Sequence, residues 1–134
     1  MNNKYYIILF FTMLFGCSNP MGCPELIYDS IQKITTVNDE PFTGRCSVLY
    51  ENGNLRSVQQ YLNGYDYGKW AFYHPNGSLE TKGKFINGIR SGKWKYYHSN
   101  GNLKQISKYS KDGERKGKWS SYDTLGKLIQ TNRY

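Results

Sequence analysis

The stretch Gly68-Lys69-Trp70-Ala71-Phe72-Tyr73-His74-Pro75-Asn76-Gly77-Ser78-Leu79 recurs as Gly92-Lys93-Trp94-Lys95-Tyr96-Tyr97-His98-Ser99-Asn100-Gly101-Asn102-Leu103. A third copy opens at Gly117-Lys118-Trp119. Upstream, Gly44-Arg45-Cys46-Ser47-Val48-Leu49-Tyr50-Glu51-Asn52-Gly53-Asn54-Leu55 is a degenerate first copy with Cys46 in the Trp slot. The leading glycines, at 44, 68, 92 and 117, stand 24 or 25 residues apart, and the second half of each unit ends on Tyr61, Phe85, Tyr109 or Tyr134. A period of this size marks a repeat architecture, in which each unit buries its apolar face only against its neighbours.

Turn signals divide each unit again. Asn52-Gly53, Asn63-Gly64, Asn76-Gly77, Asn87-Gly88, Asn100-Gly101 and Asp112-Gly113 are followed by Leu125-Gly126 in the last matching place. Such dipeptides tolerate the left-handed backbone of a type I′ turn, so each unit reads as two antiparallel strands. The fold class is all-β: an elongated antiparallel meander of repeated hairpins over residues 31–134, with Ile31 to Val37 adding a capping strand. A two-residue loop at Asn100-Gly101 sets His98 opposite Leu103, Tyr96 opposite Gln105, Trp94 opposite Ser107 and Lys93 opposite Lys108. One face then holds Trp94, Tyr96, Leu103 and Tyr109, with Trp70, Phe72, Leu79 and Phe85 in the preceding unit. The other face holds Lys93, Lys95, Lys104 and Lys108, with Lys69, Lys82 and Lys84. The rings of Trp70, Trp94, Trp119, Phe85 and Tyr109 form a packing ladder, with Gly83 leaving room for the Trp70 indole, and cross-strand aromatic contacts contribute up to about 1 kcal/mol each.

The pattern G-K-W-x-x-Y-x-x-N-G-x-L, followed by an aromatic and a further Asn-Gly or Asp-Gly, resembles the bacterial variant of the MORN repeat from about Gly44 to Tyr134. Cys46 for Trp, Asp112 for Asn and Leu125 for Asn depart from it. The resemblance implies a twisted β-hairpin array acting as an interaction module. Many bacterial relatives are classed as antitoxin-like components of toxin–antitoxin pairs, so an antitoxin or immunity protein that occludes a partner toxin is the alternative role.

Composition agrees with strands and tight turns. Among 134 residues are 13 Tyr, 6 Phe, 3 Trp and 14 Gly. Hydrophobic residues make up 38% and mean hydropathy is -0.72, which excludes a multi-span membrane protein. At the N-terminus, Lys4 precedes an apolar run from Tyr5 to Phe15. That run is too short to span a bilayer and reads as a signal peptide over residues 1–16. Leu14-Phe15-Gly16-Cys17 resembles a lipoprotein box, which implies lipidation of Cys17, a tether over 17–30 and attachment to the membrane of a bacterial cell envelope. Stable anchoring needs two acyl chains or their equivalent. The remaining Cys23 and Cys46 permit one disulfide in an oxidising compartment, with two reduced thiols as the other reading.

Chemistry is sparse. His74, His98 and Asp123 share one slot in successive units, which repeat equivalence explains without a metal, and no metal site is expected. The residues show no nucleophile with a local base and no phosphate loop, so neither catalysis nor a cofactor is expected. Charge is uneven: residues 17–81 hold 4 basic and 7 acidic side chains, whereas 82–134 hold 13 and 3. Such a field attracts anionic surfaces. The candidate partner face comprises Lys82, Lys84, Lys93, Lys95, Lys104 and Lys108 with Tyr73 and Tyr97. It would engage a protein or an anionic envelope polymer. Interleaved Tyr and Lys also suit single-stranded nucleic acid, but export argues against that ligand.

Overall fold

The computed structural model describes residues 22–134; the expected signal peptide and Cys17 lie outside the described residues. Among the described residues, twelve strands run in chain order. A small N-terminal sheet comprises β1 (Ile27–Asp29), β2 (Ile34–Val37) and β3 (Glu40–Pro41). The main sheet comprises β4 (Gly44–Leu49), β5 (Leu55–Leu62), β6 (Tyr65–Asp66), β7 (Gly68–Tyr73), β8 (Leu79–Ile86), β9 (Ile89–Tyr97), β10 (Leu103–Tyr109), β11 (Lys118–Tyr122) and β12 (Leu128–Arg133). Its path β12-β11-β10-β9-β8-β7-β5-β4 follows the sequence, with β6 on β5, so the meander of hairpins is what forms.

The turns are of two kinds. Asn63 and Gly64 (φ 50° and 80°) and Asn87 and Gly88 (48° and 77°) are both left-handed, as the type I′ reading requires. At Asn52-Gly53, Asn76-Gly77, Asn100-Gly101, Asp112-Gly113 and Leu125-Gly126 only the glycine has positive φ. At Asn100-Gly101, for example, the Gly101 amide donates to the His98 carbonyl at 2.9 Å and the His98 amide to the Asn102 carbonyl at 2.8 Å. The loop therefore has three residues rather than two, a type I turn closed by a left-handed glycine. Leu103 consequently pairs with Tyr97, not His98, and a bulge before Gln105 restores the expected pairs Tyr96–Gln105, Trp94–Ser107 and Lys93–Lys108. The same slip places Leu79 opposite Tyr73. Leu79 and Leu103 thus lie on the lysine face, a correction to the expected Trp face, because side chains alternate along a strand.

The glycine of each Gly-Lys-Trp has its own role. Between the pairs Val58–Ala71 and Tyr61–Asp66, two residues of β5 oppose four of the facing chain, 67–70. Between Lys82–Lys95 and Lys84–Ser91, Gly83 alone opposes Gly92, Lys93 and Trp94. Residues 107–108 likewise oppose 116–119. Each of the three Gly-Lys-Trp units thus enters through a bulge, and Gly68, Gly92 and Gly117 take it with φ of 69°, 70° and 65°. Bulges of this kind bend the strand and increase local twist. The packing consequence is that Gly83, although paired with Trp70, makes room for a different ring: a Cβ there would overlap the Trp94 indole.

The core is the aromatic side. Phe42, Tyr61, Trp70, Phe85 and Trp94 form a continuous run with centroid separations of 5.6, 5.3, 5.0 and 5.0 Å, mostly edge-to-face. Tyr109, Trp119 and Tyr134 form a second run at 5.3 and 5.0 Å. Cys23 and Cys46 are bridged, their Cα atoms 4.6 Å apart, and Leu26 packs against the same cluster. Residues 23–29, assigned by sequence to the tether, therefore belong to the folded body. The expected capping strand also begins later. Asp29 Oδ1 accepts from the amides of Ile31 and Gln32, Lys33 has φ 58°, and Ile31 is 91% exposed, so the chain turns until Ile34.

Candidate functional site

Strand register gathers the lysines. Lys69 stands directly opposite Lys84, Lys82 opposite Lys95 and Lys93 opposite Lys108. Like charges in directly opposed positions destabilise a sheet, and between Gly68 and Tyr109 the only acid is Glu80, against eight Lys and Arg. Lysine stems characteristically cover apolar surface and leave the ammonium group in water. Arg45, Lys69, Lys82, Lys84, Lys93 and Lys95, together with Val58, Ala71 and Tyr73, line a groove of about 420 Å³. Arg45 was not singled out by sequence; the meander places its strand at the groove two units upstream of Lys93.

The remaining candidates take different places. Tyr97 lies beside the groove with the Lys82 ammonium 5.8 Å from its ring centroid, a cation–π geometry. Lys108 continues the row through its pairing with Lys93, outside the groove lining. Lys104 occupies the bulge between Leu103 and Gln105 and is exposed, away from the groove.

The histidine slot has a structural use. His74 Nε2 lies 3.1 Å from the Tyr97 carbonyl and His98 Nε2 lies 3.0 Å from the Tyr122 carbonyl, while Tyr50 in the same slot donates its hydroxyl to the Tyr73 carbonyl at 2.7 Å. A carbonyl only accepts, so Nε2 bears the hydrogen in both rings. Beside them, Asn52, Asn76 and Asn100 donate Nδ2 to the carbonyls of Pro75, Ser99 and Thr124 at 3.1, 2.9 and 2.8 Å. This margin is thus a ladder of unit-to-unit hydrogen bonds. Among the described residues, no group of three His, Cys, Asp or Glu is placed to hold a metal ion.

On the aromatic side, arginines cap the indoles. Arg90 lies 4.6 Å from the Trp94 ring centroid and Arg115 lies 5.0 Å from that of Trp119. Trp70 and Trp119 donate their Nε1 hydrogens to the carbonyls of Gln60 and Lys108, at 2.9 and 3.0 Å, whereas the fully buried Trp94 Nε1 has no partner among the described residues. Burial pushes the Tyr96 phenol up, with Arg90 pulling the other way. Burial also pushes Tyr61 up to about 12, with a contribution from the neighbouring Asp66, whose own carboxyl is raised by burial.

Three consecutive stretches, residues 42–63, 66–87 and 90–111, match the family model described as the MORN repeat variant. The chain carries MORN-variant repeats. Repeats of this family are commonly non-enzymatic binding or scaffold modules. The matches begin two residues before the leading glycine of each unit, so the family unit starts at Phe42, Asp66 and Arg90. The fourth unit lies beyond the matched stretches, yet Trp119 repeats the bulge and the indole hydrogen bond of Trp70. No curated protein matches the chain.

Proposed function

We propose that this MORN-variant protein is a non-catalytic binding module that engages an anionic partner, a protein or an envelope polymer, through its lysine face. The supporting observation is the set of three directly opposed Lys pairs around the groove. Their mutual repulsion is a standing cost to the free protein, which a polyanion lying across β7 to β10 would offset. Lipidation at Cys17 would hold the module at a bacterial envelope membrane, where each basic residue near an anionic surface adds about 1 kcal/mol.

The test compares the full chain with a variant carrying Ser at Lys82, Lys84, Lys93 and Lys95. Binding to anionic vesicles and to an acidic polypeptide is followed as salt is raised. The expected result is salt-sensitive binding by the parent to at least one of them, lost in the variant. Equal retention by parent and variant would overturn the assignment of the face. Labelling with a palmitate analogue, present in the parent and absent in Cys17→Ser, tests the anchor separately.

A further inference from the structure

A second cavity, of about 660 Å³, lies on the aromatic side between the N-terminal sheet and the two type I′ turns, and is lined by Tyr28, Lys33, Tyr61, Tyr65, Asp66 and Trp70 among others. The repeat itself indicates its use. Arg90 and Arg115 each stand two residues before a bulge glycine, and each lays its guanidinium over the indole of its own unit. Arg90 also donates to the Tyr96 hydroxyl at 3.3 Å, and Arg115 to that of Tyr134 at 3.1 Å. Counting back from Gly68 by the same two residues gives Asp66, and the family matches beginning at 66 and 90 fix that equivalence. The unit around Trp70 thus keeps the indole and has a carboxylate where the later units have a cation.

We propose that this cavity binds the guanidinium of an arginine side chain presented by a partner protein, stacked on Trp70 and paired with Asp66. The two internal occupants of the equivalent slot are both arginines, which selects guanidinium over other cations. A guanidinium stacks on aromatic faces and pairs with a carboxylate through two parallel hydrogen bonds, and the half-buried Asp66 beside Tyr61 and Trp70 supplies both contacts. The surroundings favour a cation, since residues 17–81 carry seven acidic and four basic side chains. Lys33 is the chain's own cation at the cavity, and it is exposed. The carboxyl of Asp66 is raised by burial, the condition of an acid that an incoming cation would relieve.

The experiment titrates the full chain with acetyl-Gly-Arg-Gly-amide and with its citrulline counterpart, which keeps the shape and loses the charge. The signal is the Trp70 indole N–H resonance, assigned by its loss in Trp70→Phe. Saturable shifts with the arginine peptide are expected, weakened about tenfold or more for citrulline and for Asp66→Asn. Asp66→Arg, which writes the later units' arginine into this slot, should fold and lose binding altogether. Equal binding of the two peptides, binding retained in Asp66→Arg, or no saturation by about 10 mM arginine peptide would overturn the proposal. Replacing Lys82, Lys84, Lys93 and Lys95 by Ser, none of which lines this cavity, should leave the arginine titration unchanged, so failure of this site and failure of the lysine face are distinguishable.

Discussion

Gly83 and Tyr61 show how much a single position can decide. A methyl group at residue 83 has to enter the space of the Trp94 indole, which is itself fully buried and edge-on to Phe85 at 5.0 Å. Gly83→Ala should therefore destabilise the fold by about 1–3 kcal/mol, the usual cost of overpacking. Gly77→Ala, where a Cβ meets nothing within 4 Å, should cost only the strain of its φ of 84°; denaturant unfolding of the two variants checks the difference. Tyr61 makes a prediction in pH. Its phenol titrates near 12 in the native state and near 10 when unfolded, so between these values the folded protein keeps a proton that the unfolded chain has lost. Stability must then fall as pH rises from about 10 to 12. Tyr61→Phe should flatten part of that fall, Tyr96 contributing in the same sense, and Asp66→Asn should lower the Tyr61 midpoint as read by phenolate absorbance. Asp66 acts in the same sense at acid pH. Its native carboxyl is raised above 3.8, so stability rises as pH falls through the interval above that value, and Asp66→Asn should remove that rise.

The strands and their pairing were legible in the sequence because apolar and basic residues alternate with period two and the turn dipeptides recur. The turn type was not, because Asn-Gly is compatible with two geometries that share the same residues. The first pattern, at Asn63 and Asn87, asks for a left-handed Asn. The second, at Asn52, Asn76 and Asn100, asks for an Asn side chain whose Oδ1 accepts from the amide two residues on, at 3.0 Å in each case, and whose Nδ2 reaches the next unit. The added loop residue and the bulge cancel, so most of the expected register survived while Leu79 and Leu103 changed face. The two Asn classes separate experimentally. Asn87→Gly should be close to neutral, since glycine accepts φ of 48°. Asn100→Gly should lose two hydrogen bonds, Nδ2 to Thr124 and Oδ1 from Asn102, and destabilise by about 1 kcal/mol or more. Thermal unfolding of the two variants checks the contrast. The arginine–indole contacts escaped sequence reading because Arg90 and Arg115 belong to the tails of turns, where a charge looks solvated; only the bulge swings them onto the rings.

Across the molecule, stability is uneven. The aromatic run that begins at Phe42 ends at Trp94, and a second begins at Tyr109. Backbone stitches follow the same division. The Gly64 amide donates to the Phe42 carbonyl and that of Gly88 to Asp66, at 2.8 and 2.9 Å, whereas the Gly113 amide turns inward to Ser110 at 3.4 Å, where the loop is longer. Every residue of β12 is exposed. Repeat arrays open by units whose interfaces are weakest, so native-state hydrogen exchange should find the β11–β12 hairpin exchanging well before β7–β9. Protection of β12 equal to that of β8 would contradict this. The charge division was legible as a tally, but the opposition of lysine to lysine needed the register, and the groove needed Arg45 brought in from the first unit.

The Asn-Gly ridge has a consequence for chemical ageing. Deamidation begins when the amide nitrogen of the following glycine attacks the asparagine side chain, and the chain has five such dipeptides, at Asn52, Asn63, Asn76, Asn87 and Asn100. In the folded protein all five glycine amides are engaged by carbonyl oxygens, those of Tyr50, Phe42, His74, Asp66 and His98. The folded ribbon therefore shelters side-chain amides whose nitrogen its own unfolded chain would lose as ammonia, and a molecule left unfolded for long would, once water opens the cyclic imide, accumulate isoaspartate at the very joints it needs to close again.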